Sequence, residues 1–203
     1  MYIVRPTYLL RQIYPGALWR MPAGEKKIYL TFDDGPVPEI TPGVLDVLKA
    51  ENVKATFFCV GENVEKHTEI YHRLISEGHA VGNHTYNHLN GWKTHGHQYV
   101  RNVLKCAGLV DSKLFRPPYG RAKKSQMAVL SSQYKIVMWD VLTYDYDKNT
   151  TPEQCLKNAN EHVRNGSVIV FHDSLKARRN MEYALPRFIS FAREKGFEFG
   201  LLE

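Results

Sequence analysis

With 203 residues, 43% of them hydrophobic and 24% charged, the chain has room for one full core and is short for two, and its composition excludes the disordered and fibrous classes. Its formal charge of +6 and pI near 9.1 would suit an anionic partner. The basic residues are scattered, however, the densest groups being Lys26-Lys27, Arg121 to Lys124 and Lys176 to Arg179, so they describe a solvated basic surface and no nucleic-acid-binding tract.

Residues 1–25 form an N-terminal arm that mixes Tyr8, Leu9, Leu10, Ile13, Tyr14, Leu18 and Trp19 with Arg5, Arg11 and Arg20. Its apolar residues are expected to pack on the main core, contact with a membrane surface being the lesser alternative. No apolar stretch is long enough to cross a bilayer and no signal peptide opens the chain, which points to the cytoplasm. Cys59, Cys106 and Cys155 are odd in number and far apart. They fit buried, inert thiols better than a disulfide framework or a cysteine zinc site.

From residue 26 onward, short β-like runs alternate with amphipathic helical patterns, as in α/β folds with parallel strands. Seven strands are expected, at Ile28–Phe32, Ala55–Val60, His79–Gly82, Leu114–Phe115, Lys135–Trp139, Val168–Phe171 and Phe197–Leu201. Thr41-Pro42 opens one helix, and Thr151-Pro152-Glu153-Gln154 reads as a capping box for another. Gly78, Gly166 and Gly196 stand where helices should stop.

The residues able to do chemistry fall just after the expected strands, at Asp33-Asp34, Asn83 to His88, Arg116 to Tyr119, Asp140 to Tyr146 and His172-Asp173. In a parallel α/β sheet or barrel the strand C-termini share one face, so these segments should converge. Asp33 and Asp34 leave their strand in different directions and suit two duties, one binding a cation and one handling a proton. His84 and His88 are four apart, on one face if the segment is a helical turn. Two imidazoles and a carboxylate with an open water position form a known catalytic zinc set. His79, His95 and His97 receive no role. Pro117 and Pro118 stiffen the loop after Arg116, which can aim a guanidinium and backbone N–H groups at a fixed point.

Together and in this order, these segments resemble carbohydrate esterase family 4, the polysaccharide deacetylases that share the NodB homology domain. Thr31-Phe32-Asp33-Asp34-Gly35 is similar to the family's first motif, His84 to His88 to its His-Ser/Thr-x-x-His motif, and Arg116 to Tyr119 to its Arg-x-Pro-Tyr/Phe motif. The resemblance implies an irregular, open (β/α)7 barrel with its active site at the strand C-termini, residues 26–203 being the catalytic domain. It further implies that Asp34, His84 and His88 hold one divalent metal ion. Zn2+ suits this set best, and Co2+, Ni2+ or Fe2+ can also be held. By the same resemblance Asp33 is the general base, Arg116 its orienting partner, Tyr119 the backbone N–H donor to the oxyanion, His172 the general acid and Asp145 the residue that holds His172.

The implied activity is metal-dependent removal of N-acetyl groups from N-acetylglucosamine-type sugars in a polysaccharide, peptidoglycan or chitin-like, with release of acetate. The partner is thus an N-acetylated glycan, and the sequence does not fix an oligomeric state. Two positions depart from the family's pattern: Tyr146 replaces a usual Trp and Val170 a usual Leu, both in the pocket for the acetyl methyl. The rival readings are deacylation or deformylation of a lipid-linked or small amide on the same fold, or a catalytically dead glycan-binding protein. The expected sign of the last, loss of a ligand or of the base, is absent.

Overall fold

The computed structural model describes residues 3–203, so the first two residues of the arm lie outside it. A one-turn helix α1 (Tyr8–Arg11) precedes β1 (Lys27–Asp33), α2 (Thr41–Ala50), β2 (Thr56–Cys59), α3 (Gly61–Lys66), α4 (Thr68–Ser76) and β3 (Ala80–Asn83). Then follow α5 (Gly96–Ala107), β4 (Leu114–Phe115), α6 (Lys124–Leu130), β5 (Lys135–Ile136), β6 (Val141–Leu142), α7 (Pro152–His162), β7 (Val168–His172), α8 (Arg178–Glu194) and β8 (Glu198–Phe199). All the strand pairs are parallel, and the sheet curls into an open half-barrel along the path β5-β4-β3-β2-β1-β7-β6, with β8 beside the start of β1.

Strand β1 is central, and its alternation explains the layering. Ile28, Leu30 and Phe32 are fully buried in one cluster with Leu45 and Leu48 of α2 and Phe188 of α8. Phe32 stacks on Phe57 of β2 at 4.9 Å between ring centroids. Each such side chain contributes about 1.5–3 kcal/mol by leaving water. The alternate residues Thr31 and Asp33 carry polar groups to the other face, inside the curled sheet, and there the chemistry is placed.

Seven strands lie on the main path, but they are not the seven expected. The run expected to be strand from Lys135 to Trp139 stops at Ile136, and an unforeseen strand, Val141–Leu142, pairs with β7. The break has a cause: the Val137 and Met138 carbonyls accept hydrogen bonds from the Arg116 guanidinium. Asp33 and His172 are the last residues of β1 and β7, not the residues just after them.

The arm lies along the seam between the edge strands. Leu18 donates to the Ile136 carbonyl and accepts from the Met138 N–H, while Arg20 forms an antiparallel bridge with Ser167 at the start of β7. Edge groups that would otherwise be unpaired are thereby satisfied. Asp140, fully buried, accepts from Arg11 (2.8 Å), Arg164 (2.7 and 2.9 Å) and Ser167 (2.9 Å), which ties arm, seam and β7 together.

The end signals hold unevenly. Thr151 caps α7 through the Gln154 N–H, but the Gln154 side chain turns to Asn158, so the capping box is half formed. Gly78 and Gly196 follow α4 and α8 with φ of 78° and 75°. Gly166 instead sits in the turn before β7, where a Cβ would lie 2.1 Å from the Met21 carbonyl oxygen of the arm. The three cysteines are free and buried, and burial pushes their thiols up. No helix of the described residues is long and apolar enough to cross a membrane.

Candidate active site

The curled sheet brings the ends of β1, β3, β4 and β7 to one cavity of about 260 Å³. Asp33 stands at the end of β1 in direct register with Phe58 of β2 and His172 of β7. Beside it lies Arg116, fully buried, which follows β4 and enters a loop stiffened by Pro117 and Pro118. Its Nη1 donates to Asp33 Oδ1 at 2.6 Å and to Thr31 Oγ1 at 2.8 Å, and Nε and Nη2 donate to the Val137 and Met138 carbonyls. The guanidinium also lies 4.1 Å above the Phe58 ring. Burial pulls the Arg116 pKa down and Asp33 opposes that shift, so the two charges need each other.

Asp34 leaves the strand with φ of 85°, a left-handed conformation. Its Oδ1 lies 3.1 Å from His88 Nε2 and 3.8 Å from His84 Nε2. The two histidines do not share a helical turn, as their spacing allowed. Thr85 (φ 65°) and His88 (φ 57°) are left-handed, Thr85 N–H is held by Asn83 Oδ1, and this irregular loop sets the rings 5.2 Å apart.

Asp34, His84 and His88 each offer one ligand atom, and these atoms lie within 4.8 Å of one another. The donor set fits a divalent cation. The Arg116 carbonyl can only accept, so His84 Nδ1 carries the proton in their 2.8 Å contact and Nε2 keeps its lone pair toward Asp34. Burial lowers the His84 pKa to about 4, favouring the neutral imidazole a metal needs. Burial alone would raise the Asp34 pKa, but the His88 hydrogen bond and the nearby imidazoles bring it below the usual carboxylate range.

At the end of β7, His172 donates from Nδ1 to Asp145 Oδ1 at 2.7 Å, and its backbone N–H donates to Asp145 Oδ2 at 2.6 Å. Asp145 is fully buried. Burial would lower the His172 pKa, but Asp145, followed by Asp34 and Asp33, outweighs it and holds it up at about 9. Tyr119 has φ of 61°, and its half-exposed ring lies 4.6 Å from that of His88. Tyr146 and Val170, the two departures from the family pattern, both line the cavity, Tyr146 standing edge-on to His172 at 4.7 Å.

All the site residues expected from sequence thus gather at this cavity, Arg116 and Asp145 standing behind it as buried partners. Sequence reasoning gave no role to Trp139, Leu142, Arg121 and Lys176, which also line it, or to Asp173, buried behind the Asp33 turn. Trp139 was expected to end a strand and Leu142 lies inside the Asp140 to Tyr146 segment, and as apolar residues neither carried a chemical signal. Asp173 differs in having had a signal, an acid directly after an apolar strand and a histidine.

A family model described as polysaccharide deacetylase matches residues 20–137. Among curated proteins, a peptidoglycan-N-acetylglucosamine deacetylase of Bacillus cereus is 37% identical over 186 residues, covering 88% of this chain and 67% of that protein. A chitooligosaccharide deacetylase of Azorhizobium caulinodans is 31% identical, covering 78% of this chain and 79% of that protein. Among solved structures, the Bc1960 peptidoglycan N-acetylglucosamine deacetylase, in complex with 4-naphthalen-1-yl-N-oxidanyl-benzamide, superposes with a TM-score of 0.88 at 34% identity, covering 97% of this chain and 94% of that one.

Proposed function

Because this chain belongs to the polysaccharide deacetylases of carbohydrate esterase family 4, we propose that its cavity hydrolyses the acetamido group of N-acetylglucosamine units in peptidoglycan, with Asp33 as general base and His172 as general acid. As a member of that family it is a metal-dependent hydrolase that removes N-acetyl groups from glycans. One observation carries the residue roles: a carboxylate held by a buried arginine and an imidazole held by a buried aspartate stand in direct register on adjacent strands, beside the Asp34, His84 and His88 cluster.

Asp34, His84 and His88 would hold a divalent ion, for which we propose Zn2+, and when bound it would supply Lewis-acid polarisation of the amide carbonyl and lower the pKa of water. Asp33 accepts the proton of the attacking water, and its bond to Arg116 fixes the direction in which the carboxylate can do so. The Tyr119 backbone N–H, on the proline-stiffened loop, donates to the developing oxyanion. His172, protonated at neutral pH and fixed through Nδ1, gives its Nε2 proton to the departing sugar amine. Leu142, Val170, Trp139 and the Tyr146 ring offer an apolar wall for the acetyl methyl.

The test is acetate release by the Zn2+-loaded protein from peptidoglycan fragments, chitin oligosaccharides and lipid-linked sugars. The expected outcome is one acetate and one free sugar amine per N-acetylglucosamine processed, with peptidoglycan fragments preferred. Absence of acetate from every N-acetylated glycan would overturn the reading.

A further inference from the structure

Asp173 is a buried carboxyl group to which the proposed chemistry gives no task. It follows His172, is 1% exposed, and uses both oxygens: Oδ1 accepts from the Gly35 N–H at 3.0 Å and Oδ2 from the Thr41 hydroxyl, at the first residue of α2, at 2.6 Å. Its own N–H donates to the Asp33 carbonyl at 3.1 Å. Burial raises its pKa to about 8, helped by Asp34 and opposed by the Thr41 hydrogen bond. Such a group is costly to bury, and here one carboxyl oxygen is engaged on the turn that carries Asp33 and Asp34 and the other at the start of α2.

A left-handed Asp34 persists only where its surroundings over-determine it. Three consecutive peptide groups are fixed here. The Asp33 carbonyl accepts from the Asp173 N–H, the Asp34 carbonyl accepts from Asn63 Nδ2 at 2.8 Å, and Gly35 donates its N–H to Asp173 and accepts from the Val60 N–H at its carbonyl. Gly35 has no positive φ; it is a glycine because a Cβ there would lie 1.9 Å from Asp173 Oδ2. Thr41 links the carboxyl to α2 and also accepts from the Val37 N–H at 2.7 Å.

We infer that Asp173 is a positioning residue for the metal site: by clamping Gly35 against the start of α2 it sets the turn that turns Asp34 toward His84 and His88. The inference rests on these three residues being the ligand set, and the glycine of the Asp-Asp-Gly triplet exists to let Asp173 approach. Such indirect partners change metal affinity about 10- to 100-fold when removed.

The test measures Zn2+ affinity by chelator competition, together with thermal unfolding of the metal-free protein. Asp173→Ala and Gly35→Ala are expected to weaken Zn2+ binding about 10- to 100-fold. Asp173→Asn keeps an acceptor for the Gly35 N–H and is expected to restore most of the affinity. A merely structural role would lower Tm in Asp173→Ala while the folded protein bound Zn2+ like the wild type, and that result overturns the inference. If the alanine variants do not fold, Thr41→Val decides: it removes the hydroxyl that anchors the carboxyl and accepts from the Val37 N–H, and leaves both aspartates and Gly35 unchanged, so weakened Zn2+ binding supports the inference and unchanged binding contradicts it. Failure of the wild-type chain to bind Zn2+ would instead contradict the ligand assignment itself.

Discussion

Asp33 and His172 stand on strand ends in direct register, each held by a buried partner of opposite charge, whereas Asp34, His84 and His88 stand on loops among left-handed residues and converge mainly on one another. Exposure follows the division only in part: the side chains of Asp33 and His172 are 7% and 13% exposed and those of Asp34 and His88 26% and 29%, but His84 is buried at 2%. The proton-handling half carries its own counter-charges and is pre-organised by the protein alone. The ligand half directs an anion and imidazole nitrogens to one point, an arrangement a metal ion completes.

The largest effect of breaking this division is expected at His172. His172→Ala should lower the rate of acetate release about 10²- to 10⁴-fold while metal content stays at the wild-type level. Loss of metal in that variant would merge the two halves that the geometry separates.

Stability should separate them too. Arg116→Met strands Asp33 as an unpaired buried carboxylate, so urea unfolding of the metal-free protein should show a loss of about 3–5 kcal/mol. His88→Ala, on the more exposed side, should cost less than about 1 kcal/mol under the same conditions. Equal losses would contradict the pre-organised and metal-completed contrast.

A smaller effect, on pH alone, tests the His172–Asp145 pair. Burial lowers the His172 pKa, and the charge and hydrogen bond of Asp145 raise it further than burial lowers it, to about 9. Activity that needs protonated His172 should therefore fall only at alkaline pH. Asp145→Asn should move that alkaline limb toward acid and leave the acid limb in place. An unmoved alkaline limb would mean that a different group protonates the leaving amine.

Much of the cavity was legible because parallel strands deliver their C-terminal residues to one face, so the segments that hold Asp33, His84, Arg116, Asp145 and His172 could be expected to converge, while the roles of the single residues came from the family resemblance. What stayed hidden depends on contacts distant in sequence. The end of the expected strand at Trp139 could not be seen because Arg116, about 20 residues upstream, takes the Val137 and Met138 carbonyls. The His84 to His88 loop followed no helical period because Thr85 and His88 adopt left-handed backbone, which Asn83 and the chain around it support. The chain's scattered basic residues read as a solvated surface, yet Arg11 of the arm is paired with the buried Asp140. The reason for glycine at position 35 likewise lies across the sheet, at Asp173.

The adjacent aspartates test the division most directly, since consecutive residues carry a group fixed by Arg116 and a group facing two imidazoles. Metal content and acetate release measured side by side should show Asp33→Asn keeping its metal and losing acetate release, because an amide cannot accept the water's proton. Asp34→Asn should lose metal affinity, with excess Zn2+ restoring part of the activity. Equal metal binding in the two variants, or an active Asp33→Asn, would contradict the separation of proton transfer from metal binding.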